Sequence, residues 1–218
     1  MKQLCLAFLL LILLASPCRS ETVTLQPAAA AGMDTMIVNN AATTNYGTNA
    51  VVNVGENNTT TDVCRGLVKF DLTSIPATAV LDSVELKLKV AQDLSSNART
   101  LKVFRLKRAW VEAEATWNVY STGNSWSTAG GFHADDCEST EIGSKALSAT
   151  EAVDSVVTVV LTPRNKADLD LGNGYLLKMD TETDDLYGYH SSDHATGSYR
   201  PQLVVKYHLL GNSVILVQ

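Results

Sequence analysis

The chain of 218 residues has little that would hold it in a membrane or on nucleic acid. Its longest apolar run, residues 4–15, is shorter than the roughly 20 residues of a transmembrane helix. Basic residues are also scarce, because 17 Lys and Arg stand against 23 Asp and Glu, for a net charge of −6. The sequence therefore predicts no membrane span, and the absence of a basic stripe disfavours nucleic acid as a partner.

Several catalytic and metal-binding patterns are missing as well. The acidic loops do not have the ligand spacing of an EF-hand, and the segment "HSSDH" has no nucleophile elbow for a Ser-His-Asp hydrolase. The histidines do not have the spacing of a zinc site. These are His133, His190, His194 and His208.

The first twenty residues have the pattern of a secretion signal. Lys2 precedes the apolar run, and small residues at Cys18 and Ser20 suit cleavage after Ser20. A lipoprotein anchored at Cys18 is the disfavoured alternative, because Pro17 precedes that cysteine directly. We therefore expect a secreted protein with a signal peptide over residues 1–20, one domain over residues 21–208 and an apolar tail or extra strand over residues 209–218.

Cysteine is rare once the signal is set aside, since only Cys64 and Cys137 remain. An even pair in an oxidising compartment predicts a disulfide between them. Two buried free thiols are the alternative, because the sequence does not show whether the two residues meet.

What the chain does have is a series of short strands. In "DSVELKLKV" the residues at 84, 86, 88 and 90 are apolar, whereas Glu85, Lys87 and Lys89 point to the other face. Many such segments, separated by Asn, Thr and Gly clusters, predict an all-β fold, a two-sheet antiparallel β-sandwich of jelly-roll type. "TPRNKADLDLGNG" breaks the alternation and predicts one short crossover helix.

Residues 110–131 hold all three tryptophans and the pair Glu112 and Glu114. In an extended segment the two carboxylates would lie about 7 Å apart, a separation compatible with an inverting glycosidase. Nothing in the sequence gives the two acids different environments, which acid–base catalysis requires. We therefore favour a structural corner, with Trp110 and Trp117 in the core and Trp126 as the most exposed of the three.

The loop "AGGFHADDCE" offers carboxylates beside flexible glycines. Such hard oxygen ligands suit calcium, which takes six to eight of them. The candidate calcium ligands are Asp34, Asp135, Asp136 and Asp193. A solvated acidic loop is the alternative.

An ordered series of motifs resembles one family. The chain carries an Asp-Thr strand at Asp34, an Asn-Tyr-Gly turn around Tyr46 and a strand that ends at Gly55. "RGLVKFDLTSIPATAVLDSVELKL", "RAWVEAEATWN", "SWSTAGG" and "YRPQLVVKY" follow in order. Over residues 24–207 the series resembles the DNRLRE-type domain, which is also classed as carbohydrate-binding module family 96.

The resemblance implies a β-sandwich of jelly-roll type, found in extracellular proteins, that binds polysaccharide such as alginate and does not catalyse a reaction. For an acidic polysaccharide, basic side chains would pair with the sugar carboxylates and tyrosines would stack on the rings. Lys87 and Lys89 are further cations on an outward strand face. The candidate ligand-binding residues are Arg65, Lys69, Tyr46, Arg105, Tyr187 and Tyr189.

A second hypothesis is a surface or matrix protein that assembles with copies of itself. Residues 214–217 form an apolar strand-like segment, and an exposed apolar strand can pair with the edge of another chain.

Overall fold

A computed structural model of the chain describes residues 19–27, 33–57, 59–163 and 165–210. All but the last two residues of the predicted signal peptide (residues 1–20) and the C-terminal segment at residues 214–217 lie outside these ranges. Within them the chain is almost entirely β-structure, with two short 3₁₀ turns and a four-residue α-helix, α1 (Ala167–Asp170). The strands are β1 (Ser20–Leu25), β2 (Met33–Val38), β3 (Val51–Asn57), β4 (Asp62–Lys69), β5 (Ala79–Asp93), β6 (Arg99–Arg105), β7 (Val119–Ser121), β8 (Asn124–Ser125), β9 (Gly143–Leu147), β10 (Val156–Leu161), β11 (Tyr175–Met179), β12 (Leu186–His190) and β13 (Gln202–Leu209).

Eight strands form a closed, antiparallel, barrel-like ring in the order β5–β10–β9–β6–β11–β4–β3–β12. The ring closes because β12 pairs with the last residues of β5, where Tyr187 lies opposite Asp93. With its 15 residues, β5 is long enough to pair also with β13 along its earlier part. The all-β prediction is confirmed. The prediction of two separate sheets is not confirmed, because hydrogen bonds run continuously around the ring.

The alternation predicted for β5 is confirmed. Val84, Leu86, Leu88 and Val90 are all at most 1% exposed and face the interior of the ring. Each of the eight ring strands adds apolar side chains to this interior core. Burying one such side chain stabilises the fold by roughly 1.5–3 kcal/mol. The interior core as a whole therefore stabilises the closed ring more than the hydrogen bonds of any single strand pair do.

A second apolar cluster covers the outer face of the wall formed by β2, β4, β11 and β6. Leu67, Leu176 and Phe104 lie side by side across three of these strands. Trp110 and Trp126 pack over them from the segment that follows β6. The tryptophan-rich segment therefore forms an outer cover for one wall.

The predicted short helix is also confirmed, as α1. It connects β10 with β11, which β9 and β6 separate in the ring. The helix ends at Leu171, which has a left-handed backbone with φ of 54°, and Gly172 follows with φ of 79°. The left-handed residue at the helix end is therefore a leucine, and Gly172, which adopts this conformation at low cost, continues the turn.

The predicted disulfide between Cys64 and Cys137 is not formed, because both thiols are free and buried. Cys64 belongs to the interior core, whereas Cys137 belongs to the outer cluster. The strand backbone of the wall lies between the two clusters and so separates the two thiols. Burial raises the pKa of Cys64 to about 12 and that of Cys137 to about 11.

Candidate functional site

The two glutamates of the tryptophan-rich segment bind separate backbone amides. Glu112 Oε1 accepts the N–H of Asp34 at 2.8 Å, and Glu114 Oε2 accepts the N–H of Thr122 at 2.7 Å. Burial raises the pKa of Glu112, against the Asp34 hydrogen bond that lowers it and the nearby charge of Asp193 that raises it again. Each carboxylate thus stabilises a chain segment, as the structural interpretation of the pair predicts, and the two do not converge on one reaction centre.

The tryptophans are mainly structural too. Trp110 and Trp126 are 3% and 4% exposed, and their indole N–H groups donate to the carbonyls of Asn173 and Thr116 at 2.9 Å. Trp117 is half-buried, with the guanidinium of Arg65 4.9 Å from its ring centre. The expectation that Trp126 is the most exposed of the three is wrong. Its loop folds back so that the ring packs beside Tyr120 in the outer cluster.

Both arginines predicted to bind a ligand are held by carboxylates of the protein. Arg65 forms a two-point ion pair with Glu182 and has a side chain only 12% exposed. Arg105 pairs with Glu138 and donates to the carbonyl of Asp168. Neither guanidinium is directed at solvent, so both stabilise the fold, and the candidate ligand surface has to be sought elsewhere.

The tyrosines predicted to stack on sugars lie mostly in the interior of the ring. Tyr187 is fully buried and donates to the carbonyls of Asn97 and Ser148 at 3.0 and 2.9 Å. Tyr189 is 1% exposed. Tyr46 is half-buried and packs against the interior core. Tyr187 and Tyr189 therefore offer no ring face to a polymer.

Lys69, unlike Arg65 and Arg105, lies at an accessible surface, where it lines an open cleft of about 600 Å³. The cleft lies between the segment that follows β4 and the helix α1. We call it the Lys69 cleft, and it is lined by Met33, Lys69, Asp71, Leu72, Lys166 and Asp170, among others. Its volume is in the range of about 300–1,000 Å³ that is usual for ligand sites.

A second surface is rich in cations and lies on the outward face of β5, β10 and β13. Lys87 stands between Thr158 of β10 and Gln202 of β13 in one row across the three strands. Lys89 is two residues further along β5, and Arg200 lies just before β13. We call this surface the basic face: a shallow groove of about 330 Å³ lined by Lys87, Lys89, Val156, Thr158, Ser198, Arg200 and Gln202.

Neighbouring groups hold these cations in place without enclosing them. Lys87 is 3.2 Å from Glu85, and the ammonium of Lys89 lies 3.4 Å from the ring centre of Tyr199 and 3.9 Å from the carboxylate of Asp154. Both lysines stay accessible, with side chains 33% and 19% exposed. Arg200 donates through its Nε to the carbonyl of His194 at 2.9 Å. Three positive charges thus face one groove together with hydroxyl and amide groups, which suits an anionic ligand with many hydroxyls.

Sequence reasoning named Lys87 and Lys89 but missed Arg200 and Gln202. The outward alternation of the last strand could have indicated Gln202. Nothing local indicates Arg200, because it comes next to Lys89 only through the pairing of β13 with β5.

The four aspartates predicted to bind calcium are not brought to one place, because Asp34 lies near Asp193 whereas Asp135 and Asp136 belong to the loop before Cys137. Asp136 is fully buried, and its carboxylate accepts hydrogen bonds from Arg108 and from the amides of Ser127 and Thr128. Burial would raise the pKa of Asp136, but these hydrogen bonds outweigh it and hold the pKa below its usual value. Among the described residues, no group of three or more His, Cys, Asp or Glu side chains is arranged to hold a metal ion. The residues present therefore do not fit the predicted calcium site.

Asp34 instead lies in a buried polar cluster. Its Oδ2 accepts the N–H of Ser192 at 2.7 Å, while Oδ1 and the Ser192 hydroxyl have no hydrogen-bond partner within the described part of the chain. Burial raises the pKa of Asp34 to about 7, despite that hydrogen bond and with a further contribution from the negative charges of Glu112 and Asp193. The aspartate of the Asp-Thr motif is thus part of the core and faces no ligand surface.

Comparison with known proteins points to a single family. A family model described as "Carbohydrate-binding module family 96" matches residues 22–207. A search among curated proteins found no match. None of the helices in the described part of the chain is long and apolar enough to cross a membrane.

Proposed function

Because the chain belongs to carbohydrate-binding module family 96, we propose that it is a secreted, non-catalytic module that binds an acidic extracellular polysaccharide. The family match supports carbohydrate as the ligand class. The basic face supports an acidic polymer, and the signal-like pattern of residues 1–20 supports secretion.

The observation that carries the proposal is the row of groups on the basic face. An anionic polymer is repelled by a chain of net charge −6 unless it meets a local cluster of cations. Lys87, Lys89 and Arg200 supply this cluster, and Thr158 and Gln202 present groups that hydrogen-bond sugar hydroxyls. The three strands make the surface an open sheet face, along which an extended polymer can lie without entering a pocket.

The glutamate pair supports the non-catalytic part of the proposal. Glu112 and Glu114 each accept an amide of a different segment, an arrangement that suits two structural acceptors better than a catalytic pair around one substrate.

The test compares the wild type with a Lys87→Gln, Lys89→Gln double variant. Affinity electrophoresis through gels containing alginate, polygalacturonate or a neutral glucan measures binding, and denaturant unfolding confirms that the variant is folded. Loss of two charge-assisted contacts should weaken binding to an acidic polymer about tenfold or more. Binding of the wild type should also weaken as salt is raised, because the charges are at the surface.

The matched control is Lys145→Gln on β9, which also removes an exposed positive charge. It should bind like the wild type. Equal retardation by the neutral glucan, or unchanged binding of the double variant, would contradict the proposal.

A further inference from the structure

We propose that the Lys69 cleft is a second binding site, separate from the basic face, and that it takes a single hexuronate residue such as the end of an acidic polysaccharide. The class of ligand rests on the proposed function. The existence of a site in the cleft does not, because it follows from the shape and the chemistry of the cleft.

The position of the cleft separates it from the basic face. Its walls are the start of β2, the end of β4 with the turn that follows it, and the helix α1. The basic face uses the outward sides of β5, β10 and β13. The two surfaces have no lining residue in common, so each can be changed by mutation while the other is kept.

Two lysines and two aspartates line the cleft, and Lys69 is the cation that is open to a ligand. Its ammonium group has no hydrogen bond or ion pair among the contacts of the described residues, whereas the ammonium of Lys166 donates to the carbonyl of Ile75. An unpaired cation at the wall of a concave, largely apolar site favours a ligand with a carboxylate. Pairing with Lys69 would place the carboxylate of the ligand at the Lys69 end of the cleft.

One carboxylate of the cleft supplies an acceptor for hydroxyl groups. Asp71 is exposed, and its Oδ1 accepts the N–H of Thr73 at 2.9 Å, which orients the side chain and leaves the second oxygen for a donor from the ligand. Asp170 is only 5% exposed, and its Oδ1 accepts the N–H of Gly172 at 2.8 Å, so it shapes the wall of the cleft. A simple aliphatic carboxylate has no hydroxyl group to meet the acceptor on Asp71.

The rest of the wall is apolar. Met33, Leu72 and Ala77 line the cleft with side chains that cannot hydrogen-bond. A pyranose ring has one face made largely of C–H groups, which packs on such a wall, while its hydroxyls point to the rim. One carboxylate, several hydroxyls and an apolar face occur together in a hexuronate, which is why we infer this class of ligand over a neutral hexose or a fatty acid.

Methionine NMR offers a direct test. The chain has 4 methionines, of which Met33 lines the cleft while Met36 and Met179 are buried in the core. Protein labelled with ¹³C at the methionine methyl groups is titrated with sodium galacturonate, glucuronate and mannuronate. Glucose and sodium acetate, each at the same concentration and total ionic strength, are the controls, and a Met33→Leu variant assigns the signal.

The expected result is a saturable shift of the Met33 methyl signal with at least one uronate. Met36 and Met179 should stay unchanged, and glucose and acetate should give no saturable shift. Lys69→Gln should weaken the binding about tenfold, as expected for loss of one charge-assisted hydrogen bond. The matched variant Lys145→Gln should leave it unchanged, and narrowing the cleft with Ala77→Leu should weaken it.

Three results would overturn the inference: no saturable Met33 shift with any uronate, an equal shift with glucose or acetate, or unchanged binding by Lys69→Gln. The result of the Met33 titration can be distinguished from the result of the gel retardation test of the basic face. The Lys87→Gln, Lys89→Gln variant should keep the uronate-induced shift of the Met33 signal. The Lys69→Gln variant should still be retarded in gels that contain an acidic polymer. A Met33 shift without retardation by any acidic polymer would leave the cleft standing and refute the proposed function.

Discussion

Arg65 and Glu182 form a two-point ion pair across the wall of the ring, with Nε–Oε1 and Nη2–Oε2 distances of 2.7 and 2.8 Å. The third side of the guanidinium donates to the carbonyl of Gly130 at 2.8 Å. Its flat face is directed at Trp117, so the arginine connects β4, the loop before β12 and the tryptophan-rich segment. A side chain engaged on all sides is a structural element and not a ligand contact.

Arg65→Ala should therefore destabilise the fold and leave polymer binding by the folded protein intact. Removing one partner of a buried pair leaves the other charge unpaired, which costs about 3–5 kcal/mol. Here Lys178, 3.4 Å from Glu182, takes over part of the pairing, so we expect the lower end of that range, about 3 kcal/mol. Urea unfolding measures the loss. Unchanged stability together with weaker polymer binding would assign Arg65 to the ligand site instead.

Asp136 offers a test of the calcium hypothesis. Asp136→Ala removes the acceptor of two amides and of Arg108, which should lower the free energy of unfolding by about 3 kcal/mol. The loss should be the same in EDTA and in millimolar calcium. The neighbouring variant Asp135→Ala, which alters a side chain 68% exposed, should change stability little. A calcium-dependent rise in the melting temperature of the wild type, abolished in Asp136→Ala, would show that the carboxylate binds metal after all.

Asp34 should make the protein less stable as the pH rises. Its pKa is raised from 3.8 to about 7, so the folded chain keeps this proton while the unfolded chain releases it. The contribution is fully present below about pH 4 and is lost as the pH rises through 7, up to about 4 kcal/mol for a shift of this size. Asp34→Asn keeps an acceptor for the Ser192 amide and should lack this slope.

The measurement for Asp34 is urea unfolding from pH 4 to 8 in EDTA, expressed as the difference between the variant and the wild type. Burial lowers the pKa of His190, which contributes stability that is lost as the pH falls through the same range. This opposite contribution is present in both proteins and cancels in the difference. A difference that does not change with pH would contradict the burial of an ionisable Asp34.

The cysteines should react only after unfolding. In a chain that begins at Glu21, Cys64 and Cys137 are the two thiols, and their pKa values of about 12 and 11 leave almost no thiolate at pH 8. Ellman's reagent should detect two thiols in guanidinium without reductant and almost none in the native protein. Dithiothreitol should not change the melting temperature. Finding no thiol in the unfolded, unreduced chain would mean that the disulfide forms and that the wall has a different arrangement there.

Local patterns were enough to predict β5 and the position of the short helix. The alternation around Lys87 placed both faces of β5 correctly, because successive side chains of a strand point to opposite sides whatever the strand pairs with. The glycines after α1 marked its end for the same kind of local reason. The amide that Glu112 accepts belongs to Asp34, 78 positions away, so this partner could not be named from the local sequence.

The functional surface depended on contacts between distant segments. The sequence indicates that Lys87 is an outward cation. Its spatial neighbours Arg200 and Gln202 lie more than 100 positions later in the chain and come next to it only through the pairing of β13 with β5. Arg65 looked equally outward, yet it meets Glu182, 117 positions away, and becomes part of the structure. From the sequence the two residues were the same kind of candidate, and only their long-range partners distinguish them.

What the sequence by itself determined is the all-β class, the two faces of β5 and the family, because these depend on side-chain period and on ordered local motifs. The tertiary structure alone decided that β12 closes the ring on β5 and which face of each strand lies inside it. That choice separated Cys64 from Cys137 and left Lys69 beside an open cleft. The physical reason is that the hydrophobic effect is non-directional and depends only on the apolar area removed from water. The alternation of a strand therefore specifies that one face is buried, but not which other strands cover that face.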